Sequence, residues 1–320
     1  MQQIRELVKD DFSAVNAMIL EQLHSRVGLV ENIGHYITEA GGKRLRPLLT
    51  LLAANACSYQ GKQHIDLAVV IEFIHTATLL HDDVVDISML RRGRPTANAN
   101  WGNAPSVLVG DFIYSRAFQM LVALGDMRIM ALLSNTTNQI AEGEVLQLTR
   151  AGDPDTSRDD YLRVIRDKTA ILFAAALEGA AIIAGADENL QQALHQYGLD
   201  LGIAFQLADD MLDYTGDAET MGKNVGDDLA EGKPTLPLIY SIEQAQNGEA
   251  DIVIAAIREK STDQLQAIIN LVQSNGALDY TRQFAQQYVD SAKQQLQALP
   301  ASPYRDALER LAELALNRNA

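Results

Sequence analysis

Apolar residues recur at three- and four-residue spacing along most of this chain, and strand-like alternation is hard to find. That period belongs to helices that bury one face. It predicts helices over Ala14 to Leu23, Pro47 to Ala56, Leu67 to Val85, Val107 to Leu124, Met130 to Leu148, Tyr161 to Ala184, Gln191 to Tyr214 and Leu236 to Gln246, with three amphipathic segments after Asp251. Breaks fall at Gly41-Gly42, Arg91 to Pro105, Gly152 to Pro154, Gly185 to Asp187 and the long stretch after Tyr214. The expected fold class is all-α, and the lack of a fixed repeat period excludes a solenoid.

Length would allow two domains, since domains run to roughly 100 to 200 residues. The best boundary is the glycine-rich stretch from Tyr214 to Pro237, but it carries charged residues and directly follows an acidic motif. It reads as a functional loop, so one domain over residues 1–320 is expected. A hydrophobic content of 47% supplies a large core, and eight prolines in 320 residues suit long helices. Small residues crowd some helices, as in Phe173-Ala174-Ala175-Ala176 and Ala180 to Gly185. They allow tight helix packing or line an elongated apolar cavity.

A formal net charge of -16 argues against a nucleic-acid partner, which calls for a basic footprint. The single cysteine, Cys57, excludes an internal disulfide and fits a reducing compartment. The first residues, MQQIRELVKDDFSAVN, lack an apolar signal core, and no uninterrupted apolar run approaches the roughly 18 residues of a membrane span. A cytoplasmic location is the expectation.

Against that acidic background two copies of one pattern stand out, Asp82-Asp83-Val84-Val85-Asp86 and Asp209-Asp210-Met211-Leu212-Asp213. Residues four apart on a helix differ by about 40° around the axis, so Asp82 and Asp86 share a face, as do Asp209 and Asp213. With 42 acidic residues in the chain, roughly one acidic-acidic-x-x-acidic match is expected by composition. Asp227-Asp228-Leu229-Ala230-Glu231, among glycines, reads as such a match on a solvated loop. The two all-Asp copies instead follow apolar runs, Thr78-Leu79-Leu80 and Phe205-Gln206-Leu207-Ala208. Carboxylates there call for compensation, and hard divalent cations supply it. Two facing forks would hold several Mg²⁺ ions.

Cations accompany the carboxylates. His75 and Thr78 lie on the Asp82 stripe, and Arg91-Arg92-Gly93-Arg94 follows the first motif. Gly41-Gly42-Lys43-Arg44-Leu45-Arg46-Pro47 gathers basic residues at a helix start, an arrangement that binds anions. Lys168-Thr169, Gln206, Lys223 and Lys233 surround the second motif in sequence. Carboxylates for metals beside cations for phosphate oxygens describe a diphosphate site. No Ser/His/Asp arrangement, phosphate-binding glycine loop or His-Cys metal spacing competes.

GGKRLRP, LLHDDVVD followed by RRGRPTAN, FQLADDMLD and GKNVGDDLAEGKPTLP resemble, in order, the signature blocks of the trans-isoprenyl diphosphate synthase family. The similarity extends through flanks such as IEFIHTATLL and VLVGDFIYSRAFQM, and so covers nearly the whole chain. Ile87 departs from the family, in which an acidic residue is common after the first motif. The resemblance implies a helical bundle around a central elongated cavity and a homodimer. It implies Mg²⁺, about three ions per site, on an allylic diphosphate, with Asp82, Asp86 and Asp209 as principal ligands and Asp83 and Asp213 in support. It counts Asp210, Lys168 and Lys223 with the catalytic groups. Isopentenyl diphosphate is expected on Lys43, Arg46, His75 and Arg92, and the allylic partner, such as farnesyl diphosphate, on Arg91, Lys168, Thr169, Gln206, Lys223 and Lys233.

The implied reaction is ionisation of the allylic diphosphate, head-to-tail attack by isopentenyl diphosphate and loss of a proton, with no protein nucleophile. Ala77 and Thr78 are small where short-chain relatives often carry aromatics, so a long all-trans product is expected, C40 as best reading, of the kind that supplies quinone side chains. Phe118, Met120 or Leu124 are candidates for the tunnel floor. A transient membrane contact for product release fits such a lipid. A class I terpene cyclase normally lacks the second Asp-rich copy and the GGKRLRP block. Intact ligand sets at both motifs argue against a non-catalytic subunit.

Overall fold

The computed structural model describes residues 1–215, 225–246 and 248–316. In chain order the helices are α1 (Gln2–Glu6), α2 (Lys9–Gln22), α3 (Gly28–Glu39), α4 (Leu45–Ala56), α5 (Gln63–Val85), α6 (Ala97–Trp101), α7 (Asn103–Leu124), α8 (Met127–Arg150), α9 (Arg158–Ile165), α10 (Ile171–Ile183), α11 (Glu188–Thr215), α12 (Asp227–Ala230), α13 (Leu236–Gln244), α14 (Glu249–Glu259), α15 (Leu265–Ser274), α16 (Ala277–Gln295) and α17 (Pro303–Leu316). A π-helical turn, Arg166–Ala170, joins α9 to α10. The only strands among the described residues are β1 (Leu90–Arg91) and β2 (Arg94–Pro95), an antiparallel pair. Arg92 and Gly93 between them have φ of 55° and 73°, the positive values that close a two-residue hairpin turn.

The chain divides into two compact units. One comprises Met1–Thr137, Leu172–Gly198 and Gln295–Arg310, the other Asn138–Ile171, Leu199–Gln294 and Leu311–Ala320. The divisions at 137/138 and 198/199 fall inside α8 and α11 rather than in linkers.

In the first unit α5 is the core helix. Leu67 to Ile71, Phe73 and Ile74 are all 0% exposed, because apolar residues run unbroken from Leu67 to Ile71 and the helix packs against α2, α4 and α7. The tight-packing reading of the small residues holds between α10 and α11. A Cβ added at Gly198 would lie 2.5 Å from the Ala174 Cα. By length and composition α5 and α7 would suffice to cross a membrane, with mean hydropathies of 1.2 and 1.4, although neither is an uninterrupted apolar run. Burial marks α5 as a core helix, whereas α7 leaves Leu108 65% and Val122 70% exposed.

In the second unit, Tyr161, Ile165, Ile203, Leu207, Leu236 and Ile239 form one apolar cluster joining α9, α11 and α13. Tyr214, Leu229, Leu238, Val253, Ile257 and Val272 form another under α12 to α15. The periodicity located the long helices to within a few residues at most ends. It did not find α3, the hairpin or the π-turn, and it expected three amphipathic helices near the end of the chain where α14 to α17 are four.

Candidate active site

In the first unit the loop before α4 turns through left-handed backbone at Gly41, Gly42 and Arg44, with φ of 79°, 141° and 42°. Glycine at 42 also makes room. A Cβ there would come within 2.6 Å of the Arg92 guanidinium, which donates to the Gly41 carbonyl. The hairpin arginine thus lies on the basic loop. Arg46, in the first turn of α4, sets its guanidinium 4.3 Å from the centre of the Phe173 ring, and its buried Nε has no hydrogen-bond partner. Burial pushes Arg46 down to about 10, against the opposing charge of Glu72.

His75 stands one turn beyond Glu72 on α5. Burial holds its pKa well below the ordinary value, and the charges of Arg46, Arg92 and Arg91 push the same way. It is therefore neutral near pH 7, a hydrogen-bonding group rather than a cation. Burial raises Glu72, opposed by Arg46, Arg44 and Arg92. Arg46, Glu72, His75 and Arg92 thus lie close enough to shift one another's charge states, and Glu72 was not singled out in the sequence. Lys43 is exposed on the same loop. Arg44 faces elsewhere, donating to Asn16 and to the Thr38 carbonyl.

Asp82 and Asp86 are half-buried at the end of α5, where Asp86 caps the helix and donates its N–H to the Asp82 carbonyl at 2.7 Å. Asp83 is turned inward, 0% exposed, with Oδ1 held by Arg91. The segment leaving the helix is tied down by residues of the RRGRPTAN block. Thr96 Oγ1 donates to the Ser88 carbonyl at 2.7 Å, and Asn98 Nδ2 donates to the carbonyls of Asp83 and Ser88 at 3.2 and 3.1 Å.

In the second unit the π-turn carries Lys168 and Thr169. Such turns insert one residue and re-aim the side chains around it. Gly143 of α8 allows the approach, since a Cβ would lie 2.7 Å from the Lys168 nitrogen. Lys168 Nζ reaches Glu144 at 2.7 Å, and Thr169 Oγ1 donates to Gln206 Oε1 at 3.2 Å. Gln206 Nε2 donates to Asp210 Oδ1 at 2.8 Å, and Tyr161 donates to Asp210 Oδ2 at 2.5 Å. Burial raises Asp210, and the charge of Asp228 adds to it.

Asp209 is half-buried, whereas Asp213 is 0% exposed and accepts from the Asp228 N–H at 3.3 Å. Lys233 pairs with Glu231. Lys223 lies outside the described residues. Two expectations change here. Asp83 and Asp210 were grouped with residues acting on metal or substrate, yet each is interior and held by a neighbouring side chain. Asp227 and Asp228 read as a solvated match, yet both are half-buried in α12, and the Asp228 backbone binds the second motif. Glycine spacing had suggested a loop, and the cap on Asp213 lies 15 residues away in sequence.

The profile of the polyprenyl synthetase family matches residues 27–272. The chain belongs to the polyprenyl synthetase family. Octaprenyl diphosphate synthase of Escherichia coli (strain K12) is 50% identical over 320 residues, covering 100% of this chain and 99% of that protein. All-trans-nonaprenyl-diphosphate synthase (geranyl-diphosphate specific) of Rhodobacter capsulatus is 50% identical over 318 residues, 99% of this chain and 98% of that protein. Among solved structures, a polyprenyl synthase from Caulobacter crescentus CB15, complexed with calcium and isoprenyl diphosphate, superposes with a TM-score of 0.97 at 46% identity, covering 100% of this chain and 98% of that one.

The donor set of this polyprenyl synthetase suits a metal of the Mg²⁺ type. Among the described residues no three carboxylate, imidazole or thiol groups form a complete cage. Each motif instead presents carboxylate oxygens from one helix. Mg²⁺ is commonly bound in that way, on one or two carboxylates with substrate phosphates and water completing the shell. Asp82, Asp86 and Asp209 are the motif carboxylates with solvent access. Cys57 takes no part, being half-buried with burial pushing its thiol up to about 11.

Proposed function

We propose that this polyprenyl synthetase is a long-chain trans-prenyltransferase, condensing isopentenyl diphosphate head to tail onto an allylic diphosphate such as farnesyl diphosphate, with octaprenyl diphosphate (C40) as product and a quinone side chain as its destination. The observation that carries the reading is the convergence of Arg46, His75 and Arg92 in the same unit as an acidic motif whose outer carboxylates stay accessible. The first group suits a diphosphate bound by protein cations, the second one bound through metal.

Arg46 and Arg92, with Lys43, bind and orient isopentenyl diphosphate, and neutral His75 adds a hydrogen bond. Asp82, Asp86 and Asp209 would hold Mg²⁺, about three ions, two on the first motif and one on the second, with the interior Asp213 in support. Bound metal would neutralise charge on the departing diphosphate, a form of electrostatic stabilisation that is often the largest catalytic contribution. Lys168, Thr169, Gln206 and Lys233 serve the allylic partner, as does Lys223. The allylic carbon–oxygen bond breaks with its electron pair on the diphosphate, the isopentenyl double bond forms the new carbon–carbon bond, and a proton leaves to the released diphosphate. This chemistry uses no protein nucleophile.

The reading takes residues 1–320 as one catalytic domain in the cytoplasm, with transient membrane contact for release of the lipid. It also takes the enzyme as a homodimer. Support comes from α7, whose outer face carries Leu108 and Val122 in the open, an arrangement that suits burial against a second copy. Octaprenyl and nonaprenyl relatives are equally identical to this chain, so product length is decided by measurement and not by overall identity. Purified enzyme supplied with farnesyl diphosphate, labelled isopentenyl diphosphate and Mg²⁺ should yield a C40 product by chromatography. Absence of any elongated product would refute the function, and C35 or C45 would correct the length.

A further inference from the structure

The inner aspartate of the second motif dictates the direction of a hydrogen-bond chain. Tyr161 Oη donates to Asp210 Oδ2 at 2.5 Å, Gln206 Nε2 donates to Asp210 Oδ1 at 2.8 Å, and Thr169 Oγ1 donates to Gln206 Oε1 at 3.2 Å. Both Asp210 oxygens accept in this arrangement, and a primary amide has one donating and one accepting end. Asp210 therefore takes the nitrogen end of Gln206, the oxygen end is left for Thr169, and the Thr169 hydrogen is committed inward. Toward its open side Thr169 offers lone pairs and no proton. Tyr161 is 5% exposed and Asp210 2%, so water has little access to rearrange the inner links.

The anchoring of α9 keeps this chain in register. Arg158, one turn before Tyr161, pairs with Glu243 and sits 4.8 Å from the centre of the Tyr280 ring. The Tyr161 ring is part of the apolar cluster with Ile203 and Leu207. From the end of α9 the π-turn leads directly to Lys168 and Thr169.

We infer that Tyr161 is a positioning residue for prenyl transfer: acting through Asp210 and Gln206, it fixes the Thr169 hydroxyl so that an electron-rich oxygen faces the developing allylic cation. This rests on the prenyl-transfer reading, in which Thr169 serves the allylic partner. An outward O–H would set the positive end of its dipole against the cation, while outward lone pairs stabilise it. No proton changes hands along the chain, and no covalent bond forms to it.

A double-mutant cycle on the full-length enzyme tests the inference, with Tyr161→Phe and Thr169→Val read by KM and by single-turnover rate, which stays measurable in slow variants. Tyr161→Phe should slow the chemical step about tenfold, the worth of one hydrogen bond, with KM for both diphosphates within about twofold of the parent. In the Thr169→Val background the same change should cost nothing further. Asp210→Asn, whose amide can donate to Gln206 and reverse it, should show the same dependence on Thr169 and replaces Tyr161→Phe should that variant fail to fold. Losses that multiply across the cycle, a KM effect without a rate effect, or failure of both variants to fold would each overturn the inference. An inactive parent enzyme would instead remove the prenyl-transfer reading.

Discussion

Arg91 lays two nitrogens on one oxygen of Asp83, Nε at 2.9 Å and Nη2 at 2.7 Å from Oδ1, while Oδ2 is buried without a hydrogen-bond partner. Asp210 has the corresponding place in the second motif, taken up by Tyr161 and Gln206. In both motifs, then, the second aspartate is interior and held by neighbouring side chains, and the first stays accessible. Removing one partner of a buried ion pair costs about 3–5 kcal/mol. The Arg91 side chain is 31% exposed and regains some hydration, so Asp83→Ala should cost less, about 2–3 kcal/mol in urea unfolding. Asp82→Ala should cost about 1 kcal/mol or less and abolish prenyl transfer. Equal stability losses for the two variants would contradict this division of labour.

Two glycines separate packing from catalysis. A Cβ at Gly198 would meet the Ala174 Cα at 2.5 Å, and one at Gly143 would meet the Lys168 nitrogen at 2.7 Å and the Asp167 carbonyl carbon at 2.9 Å. Backbone cannot rotate aside as a side chain can, and overpacking of this kind costs about 1–3 kcal/mol. Gly198→Ala should lower the unfolding midpoint, with the folded enzyme keeping its kcat. Gly143→Ala should lower kcat about tenfold or more, because the π-turn carries Lys168 and Thr169. Steady-state kinetics beside denaturant curves distinguish the two, and an unchanged kcat for Gly143→Ala would count against the role of the π-turn.

The long helices were legible in the sequence because each buries a stripe or, for α5, most of its surface. The basic loop at Gly41-Gly42 and the accessible pairs Asp82 and Asp86 were legible because their spacing is local. What the sequence did not disclose depends on contacts distant along the chain. Tyr161 gains its meaning from Asp210, 49 residues on, and the π-turn from Gly143 on another helix. Glu72 lay hidden in an apolar run, since nothing nearby in sequence shows that Arg46 and Arg92 gather around it. The inward turn of Asp83 was recoverable in principle. An aspartate one residue past Asp82 points about 100° away from it around the helix, toward the core side of an otherwise apolar segment.

The neutral state of His75 makes a definite prediction about pH. Its folded-state pKa is depressed by burial, then by Arg46, Arg92 and Arg91, while in the unfolded chain it titrates near the ordinary 6.5. Below that pH the unfolded state binds a proton that the folded state declines, so stability falls as pH falls. The contribution is fully present above 6.5 and is lost progressively below it. Glu72 acts in the opposite sense, since its raised pKa lets the folded state take up a proton first, and a variant is needed to isolate the histidine. Between about pH 7.5 and pH 5.5 the urea midpoint of the parent enzyme should drop further than that of His75→Gln. Parallel profiles would show that His75 titrates alike in both states.

Ala77 and Thr78 precede Asp82 by five and four residues on α5, roughly 6–8 Å along the helix at 1.5 Å per residue. Ala77 is 1% exposed and Thr78 half-buried, with the Thr78 hydroxyl turned back onto the His75 carbonyl at 2.8 Å, so its methyl is left to meet whatever lies alongside. If a growing hydrocarbon runs past this face, a large ring there should stop it early. Ala77→Tyr should therefore shift the products well below C40 without abolishing the first condensation, at a stability cost of about 1–3 kcal/mol for the added bulk. On α7, half-buried Phe118, whose ring lies 5.2 Å from that of Tyr114, and Met120, 7% exposed, are the bulky candidates for a floor, as is half-buried Leu124. Phe118→Ala should lengthen the product if it is the floor. Chromatography of the dephosphorylated products measures both effects, and a distribution unchanged by Ala77→Tyr in a folded, active enzyme would remove this face of α5 from the path of the chain.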